Sequence, residues 1–300
     1  MKTRIGLGTW RSEDQEAEQA VYNAIKIGYR YFDCAYEYGN EQGIGKGIAT
    51  AIKNGLVQRN ELFIATKLWQ THHKPEQVQE QLQLSLKNLQ LEYLDLFIIH
   101  WPLQFIPGED LYPRIDNQIQ KDLGYTLQDT WRAMEQLVDK KLINYIGVSN
   151  YNVQLLQDLI SYSKIKPHSN QIEVHPYLQQ ENLIKYCIQQ NIIVTAYSPI
   201  GGKYDYGEHK NLTVQGDDQI MALSQKYNTT PVDVIISWHL QKYLNNYMVV
   251  PKSSNFYRLQ QNFQPTLKLT TEDIQIINKL DKHSRLNDAA KVFWDTPVFE

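Results

Sequence analysis

Cysteine is scarce in this chain of 300 residues: there are two, Cys34 and Cys187, with no metal-ligand spacing. A disulfide framework is not expected, and free thiols in a reducing, cytoplasmic setting are. No apolar run is long enough to span a bilayer, and the N-terminal stretch lacks the charged and apolar regions of a signal peptide. Neither charge sign dominates. The 30 Lys and Arg stand against 33 Asp and Glu, spread along the chain, which leaves nucleic acid and anionic membranes nothing to hold. No strand is followed by Gly-x-Gly-x-x-Gly; the nearest approach, Gly43-x-Gly45-x-Gly47, opens a helix with the wrong spacing. No strand end carries His-x-His, and His72-His73 has no acidic ligands beside it, so a metal-dependent hydrolase is set aside and no metal is expected.

What is present is an ordinary globular composition, 42% hydrophobic and 21% charged, of a length that one α/β barrel accommodates. Buried strands are predicted over 5–10, 29–34, 62–67, 94–99, 143–148, 169–174, 192–196 and 247–250. Helical patterns lie between them. Ser12-x-x-Gln15 reads as a capping box for the first, Gly28 as its stop, and Pro75 as the first turn of a later one. Two long segments, 103–124 and 200–216, are irregular; the second carries Tyr204-Asp205-Tyr206 and could close as a lid. Eight alternations without a composition break predict a single domain over 1–300, a (β/α)8 TIM barrel with long loops at its C-terminal face.

In such a barrel, polar residues at strand ends converge on one mouth. Asp33, Tyr38, Lys67 and His100 sit at or just beyond three consecutive strand ends. A carboxylate inside the apolar run around Asp33 is costly unless paired, and Lys67, ending another apolar strand, is the partner it needs. That charged pair would favour tyrosinate at Tyr38 and make it a proton donor near neutral pH. His100 could orient a carbonyl oxygen or relay a proton. Each residue alone reads more readily as structural than as catalytic; four on neighbouring strand ends tip the balance to catalysis.

These residues lie in Phe32-Asp-Cys-Ala-Tyr-Glu-Tyr-Gly-Asn-Glu41, Thr66-Lys-Leu-Trp69 and Ile99-His-Trp-Pro102, followed by Gly147-Val-Ser-Asn150, Asn170-Gln-Ile-Glu173, Ala196-Tyr-Ser-Pro199 and Pro251-Lys-Ser253. In order and spacing the set resembles the aldo-keto reductases, NADPH-dependent (β/α)8 enzymes that reduce carbonyls, over nearly the whole chain. The resemblance implies Tyr38 as general acid, Asp33 and Lys67 as its tuning pair, and His100 as the residue orienting the carbonyl. It implies Ser149, Asn150 and Gln171 on the nicotinamide carboxamide, Tyr197 against the ring, and Ser198 and the following loop along the pyrophosphate. Gly8, Thr9 and Trp10 would join the cofactor wall. Lys252, Ser253, Ser254 and Arg258 would take the 2′-phosphate of NADPH, and Asn262 the adenine, with NADH as the alternative cofactor. Gln261 stands where many relatives carry Glu.

The substrate implied is a small-molecule aldehyde. Trp10, Trp69 and Trp101 would form an aromatic wall. Glu37 and Asn287 match positions where xylose reductases and mannose-6-phosphate reductases carry an acid and an asparagine, and the tail 292–299 is similar to the xylose reductases. A carboxylate and an amide among tryptophans suit a polyhydroxylated aldehyde, an aldose or sugar phosphate. Small aromatic, lipid-derived or dicarbonyl aldehydes are the alternative, and a cofactor-binding regulatory subunit the alternative from another class. A monomer or weak homodimer is expected. Relatives usually begin with a β-hairpin under the barrel; here either residues 2–5 are expected to do a reduced version of that job or another chain covers the opening.

Overall fold

The computed structural model describes residues 4–202, 212–263, 265 and 267–299. Among the described residues ten strands run in chain order: β1 (Leu7–Gly8), β2 (Tyr31–Asp33), β3 (Phe63–Leu68), β4 (Leu94–Ile99), β5 (Arg114–Ile115), β6 (Gln118–Ile119), β7 (Ile143–Ser149), β8 (Ser169–Glu173), β9 (Ile193–Tyr197) and β10 (Tyr247–Val249). Eight of them, all but β5 and β6, form one parallel sheet in sequence order. The sheet closes on itself: Ile5 bridges Val249 and Gly8 bridges Lys252, both parallel, with Gly6 N donating to Val249 O at 2.9 Å. The predicted (β/α)8 barrel is what the chain forms.

The helices are α1 (Asp14–Ile27), α2 (Glu41–Lys53), α3 (Pro75–Leu89), α4 (Leu127–Asp139), α5 (Val153–Tyr162), α6 (Glu181–Gln189), α7 (Asp218–Lys226), α8 (Pro231–Lys242), α9 (Phe256–Phe263), α10 (Thr271–Asn278) and α11 (Ala289–Trp294). Their apolar stripes join the outward residues of the strands in one core, which holds Val78, Leu82, Leu86 and Leu89 of α3 together with Phe97 and Ile99 of β4. The alternate strand residues form a separate cluster inside the barrel, with Tyr31, Ala65, Leu96, Ile98, Met248 and Val250. Asp33 follows Tyr31 by two residues and Lys67 follows Ala65 by two. The same parity therefore aims both charges inward, at the C-terminal end.

Three features differ from the sequence reading. The capping box at Ser12 does not form; Glu13 is the N-cap of α1 without a side-chain bond, and Asp14 instead accepts from Gly43 N at 2.9 Å. That contact ties α1 to α2, whose glycine at 43 leaves no room for a side chain: a Cβ would meet Asp14 O at 2.0 Å. The segment 103–124 is not irregular throughout, because β5 and β6 make an antiparallel hairpin across Asp116 and Asn117, both at positive φ. Three helices, α9 to α11, continue past the last predicted strand, α10 opened by a Thr270–Asp273 capping box.

At the opposite, N-terminal end, Phe63, Tyr145 and His168 stack, Tyr145 and His168 with centroids 4.1 Å apart. Arg4 binds the carbonyls of Tyr243 and Leu240 there. Lys2 and Thr3 of the reduced hairpin, and Tyr204-Asp205-Tyr206 of the second long segment, lie outside the described residues.

Candidate active site

The strand ends surround a cavity of about 820 Å³. At its floor Lys67, with no exposed side-chain surface, distributes its three N–H bonds completely. Nζ lies 2.9 Å from both oxygens of Asp33, 2.8 Å from Cys34 O and 3.2 Å from the Tyr38 hydroxyl. Gln171 Nε2 donates to Asp33 Oδ1 at 2.7 Å, so the buried carboxylate is satisfied from two strands. Tyr38 is delivered by a single 3₁₀ turn, Tyr36–Tyr38, which Gly39 ends in the left-handed region at φ 69°. Asn40 pins this turn to the loop after β1, donating to Thr9 O and Ser12 O at 2.9 and 2.8 Å. Thr9 hydroxyl donates to Asp33 O at 2.9 Å.

His100 follows β4, with its ring edge-on to Tyr38 at 5.9 Å and to Trp69 at 5.2 Å. Burial, then the Lys67 charge, hold its pKa well below the ordinary histidine value, so the imidazole is neutral at working pH. Its Nδ1 has no hydrogen-bond partner among the described residues.

A second group lies at the ends of β7, β8 and β9. Ser149 hydroxyl donates to Gln171 O at 2.8 Å. Asn150 Nδ2 donates to His100 O at 3.0 Å, and Tyr197 hydroxyl donates to Asn150 Oδ1 at 2.9 Å. Asn150 and Ser198 both adopt positive φ, 64° and 47°, which turns the chain sharply out of each strand. Gly8, Thr9, Trp10, Tyr197 and Ser198 share the cavity wall with these residues.

The basic end is more open. Lys252 is exposed at the cavity rim, donates to Arg11 O at 3.3 Å and approaches Glu16 Oε2 at 3.9 Å. Ser254 hydroxyl also donates to Glu16. Glu16 is thus an anion already lodged on the lysine and the serine, and its pKa is lowered chiefly by the Ser254 bond. Ser253 is buried, Arg258 exposed and Asn262 buried, all beyond the cavity wall on α9 or the turn before it. Gln261 Nε2 turns away to Thr230 Oγ1 at 2.6 Å and Asp233.

Glu37, Trp69, Trp101 and Asn287 line the other end, as does Trp10. Among the lining residues without an assigned role in the sequence are Tyr112 and Arg114 from the hairpin segment, and Phe293 and Trp294 from α11. Trp294 meets Trp69 at 5.9 Å and Trp101 at 5.1 Å, edge to face. The anchor of the C-terminal segment is Glu173, fully buried, which accepts from Leu286 N at 2.8 Å and Asn287 N at 3.1 Å and faces His175 Nε2 at 2.9 Å. A buried acid ending β8 was visible in the sequence as Asn170-Gln-Ile-Glu173, but its backbone partners Leu286 and Asn287 lie 113 and 114 residues on.

The site as a whole joins a buried Lys–Asp pair under a tyrosine, a neutral histidine beside it, and a hydroxyl-and-amide row in one cleft. Known proteins are similar to this chain over nearly its whole length. Residues 4–282 match the Aldo/keto reductase family. The chain is 41% identical to the NADPH-dependent D-xylose reductase of Meyerozyma guilliermondii, over 97% of this chain and 93% of that protein. It is 38% identical to aldo-keto reductase family 1 member A1-A of Danio rerio, over 97% of this chain and 92% of the other. Among solved structures, aldose reductase from Giardia lamblia superposes with a TM-score of 0.94 at 40% identity, covering 99% of this chain and 98% of that one. No helix among the described residues is long and apolar enough to cross a membrane. The chain belongs to the aldo/keto reductase family and is an oxidoreductase of that family.

Proposed function

We propose that this enzyme reduces an aldehyde to the alcohol with NADPH, Tyr38 giving the proton to the carbonyl oxygen. The observation that carries this is the position of Lys67 Nζ, 3.2 Å from the Tyr38 oxygen and paired below with Asp33. Lys67 donates to that oxygen, so the phenol keeps its own O–H as a donor. When the proton leaves, the ammonium stabilises the phenolate that remains. Neutral His100 acts as a hydrogen-bond donor that orients the carbonyl oxygen without competing as an acid.

A nicotinamide dinucleotide, when bound, supplies the hydride. The donor set fits it: Ser149, Asn150 and Gln171 offer an amide and hydroxyl row for the carboxamide, beside the ring of Tyr197. At the rim the carboxylate of Glu16, bound by Lys252 and Ser254, stands in for a phosphate. Ser253, Arg258 and Asn262 would extend this contact along α9, which supports NADPH over NADH. Gly8, Thr9, Trp10 and Ser198 would hold the middle of the cofactor.

At the other end Glu37 and Asn287 would receive hydroxyls of the substrate, within a wall of Trp10, Trp69 and Trp101. Relatives named D-xylose reductase and aldose reductase support an aldose, with a sugar phosphate as the variant of the same reading. The edge-to-face tryptophans around Trp294 favour apolar aldehydes as the second reading. Initial rates for xylose, mannose-6-phosphate, methylglyoxal and benzaldehyde, each with NADPH and NADH, test both. Turnover highest with the aldoses and NADPH is expected; no reduction of any aldehyde would contradict the activity itself.

A further inference from the structure

We infer that Tyr112 is a specificity-determining positioning residue, which holds the Glu37 carboxylate in register for a hydroxylated aldehyde. The inference rests on Glu37 being a substrate contact, as proposed above. Glu37 sits at the centre of the 3₁₀ turn Tyr36–Tyr38, immediately before the proposed acid, and faces the cavity. A carboxylate there has little to fix its orientation locally, since the turn offers it no side-chain bond. Among the described residues its one hydrogen-bond partner is the Tyr112 hydroxyl, which donates to Oε1 from 75 positions away. That bond occupies one oxygen and leaves Oε2 as the acceptor for a substrate hydroxyl.

Tyr112 is itself held on every side. Its ring meets Trp69 edge-on at 5.4 Å and lies roughly parallel to Trp294 at 6.5 Å. Its backbone N–H donates to Asp110 at 2.9 Å, and the neighbouring Leu111 carbonyl accepts from Trp69 Nε1 at 2.8 Å. Arg114, two residues on, donates to Phe293 O at 2.9 Å. The segment carrying Tyr112 is therefore clasped to the tryptophan wall and to α11, and its hydroxyl reaches the Tyr36–Tyr38 turn at Glu37. A tyrosine so constrained transmits the geometry of that segment to one carboxylate oxygen, and an aldehyde without hydroxyls gains nothing from it.

D-glyceraldehyde and propanal test this, being of equal carbon length and differing by two hydroxyls. For Tyr112→Phe, which keeps the ring and its packing, the ratio of kcat/KM for glyceraldehyde to that for propanal is expected to fall roughly fivefold to tenfold, the net size of one ordinary hydrogen bond. The loss should appear in KM for glyceraldehyde and not in kcat. Glu37→Gln should lower the same ratio, and the double variant should be no worse than Glu37→Gln alone. An unchanged ratio in Tyr112→Phe, a fall in kcat with both aldehydes, or multiplying effects in the double variant would overturn the role of Tyr112. An unchanged ratio in Glu37→Gln would instead remove Glu37 as a substrate contact, and the inference with it.

Discussion

The amine of Lys67 and the hydroxyl of Tyr38 lie 3.2 Å apart at the cavity floor, one from the end of β3 and the other from the turn after β2. The pair is possible because Lys67 is already neutralised by Asp33, with which it shares the inward parity of the barrel strands. An ammonium with no exposed surface is stable only in such company.

Lys67→Met separates the structural from the catalytic share of this arrangement. It leaves Asp33 buried with Gln171 alone, and the unfolding free energy should fall by about 3–5 kcal/mol, the usual cost of breaking a buried pair. Urea denaturation measures it. Adding Asp33→Asn should restore most of the stability, because no uncompensated charge then remains. Turnover should stay at least about a hundredfold below the parent in both variants, since neither holds a cation beside Tyr38.

Stability should also depend on pH through His239. This buried imidazole lies between Tyr247 hydroxyl, 2.7 Å from Nδ1, and Pro199 O, 2.8 Å from Nε2, an arrangement that fits the neutral ring. Burial lowers its pKa to about 3 in the fold. The unfolded chain, with an ordinary histidine pKa of about 6.5, binds the proton that the folded chain refuses. Stability is therefore full above that value and lost as pH falls from there toward 3, by about 1.4 kcal/mol per unit for this group. His73, also buried and lowered to about 3, adds a similar slope. Denaturation curves between pH 7 and 5 should show the loss, and His239→Gln should make it shallower.

Glu16 sits on Lys252 and Ser254, where the 2′-phosphate of NADPH is proposed to bind, and must give way to it. Glu16→Gln should tighten NADPH by about twofold to fivefold while leaving NADH nearly unchanged, as suits an exposed ion pair. The difference should shrink as salt is raised. Fluorescence titration with both cofactors measures it; equal changes for the two would remove Glu16 from cofactor discrimination.

Much of this was legible before the structure. Asp33, Lys67 and His100 stand out because a barrel strand is buried on both faces, so a charged or titratable group at its end needs a partner or a purpose. Residues whose meaning depends on a distant partner were not legible. Tyr112 is an unremarked aromatic in a polar segment until the fold brings it to Glu37. Glu173 likewise acquires its meaning only when residues 285–287 return to it. The Asp116-Asn117 turn did carry a local signal for a hairpin, hidden by its very short flanking strands, β5 and β6. Ser12 misled for the opposite reason: its spacing fits a capping box, but the helix starts one residue later and Asp14 is drawn to Gly43.

The most direct measurement on the central claim is the rate of aldehyde reduction by Tyr38→Phe, taken together with its affinity for NADPH. The phenylalanine keeps the ring over Lys67 and removes only the proton donor. Reduction should fall by at least about a hundredfold while NADPH binds within a few-fold of the parent. Near-normal reduction by a variant that still binds NADPH would contradict the assignment of Tyr38 as the acid.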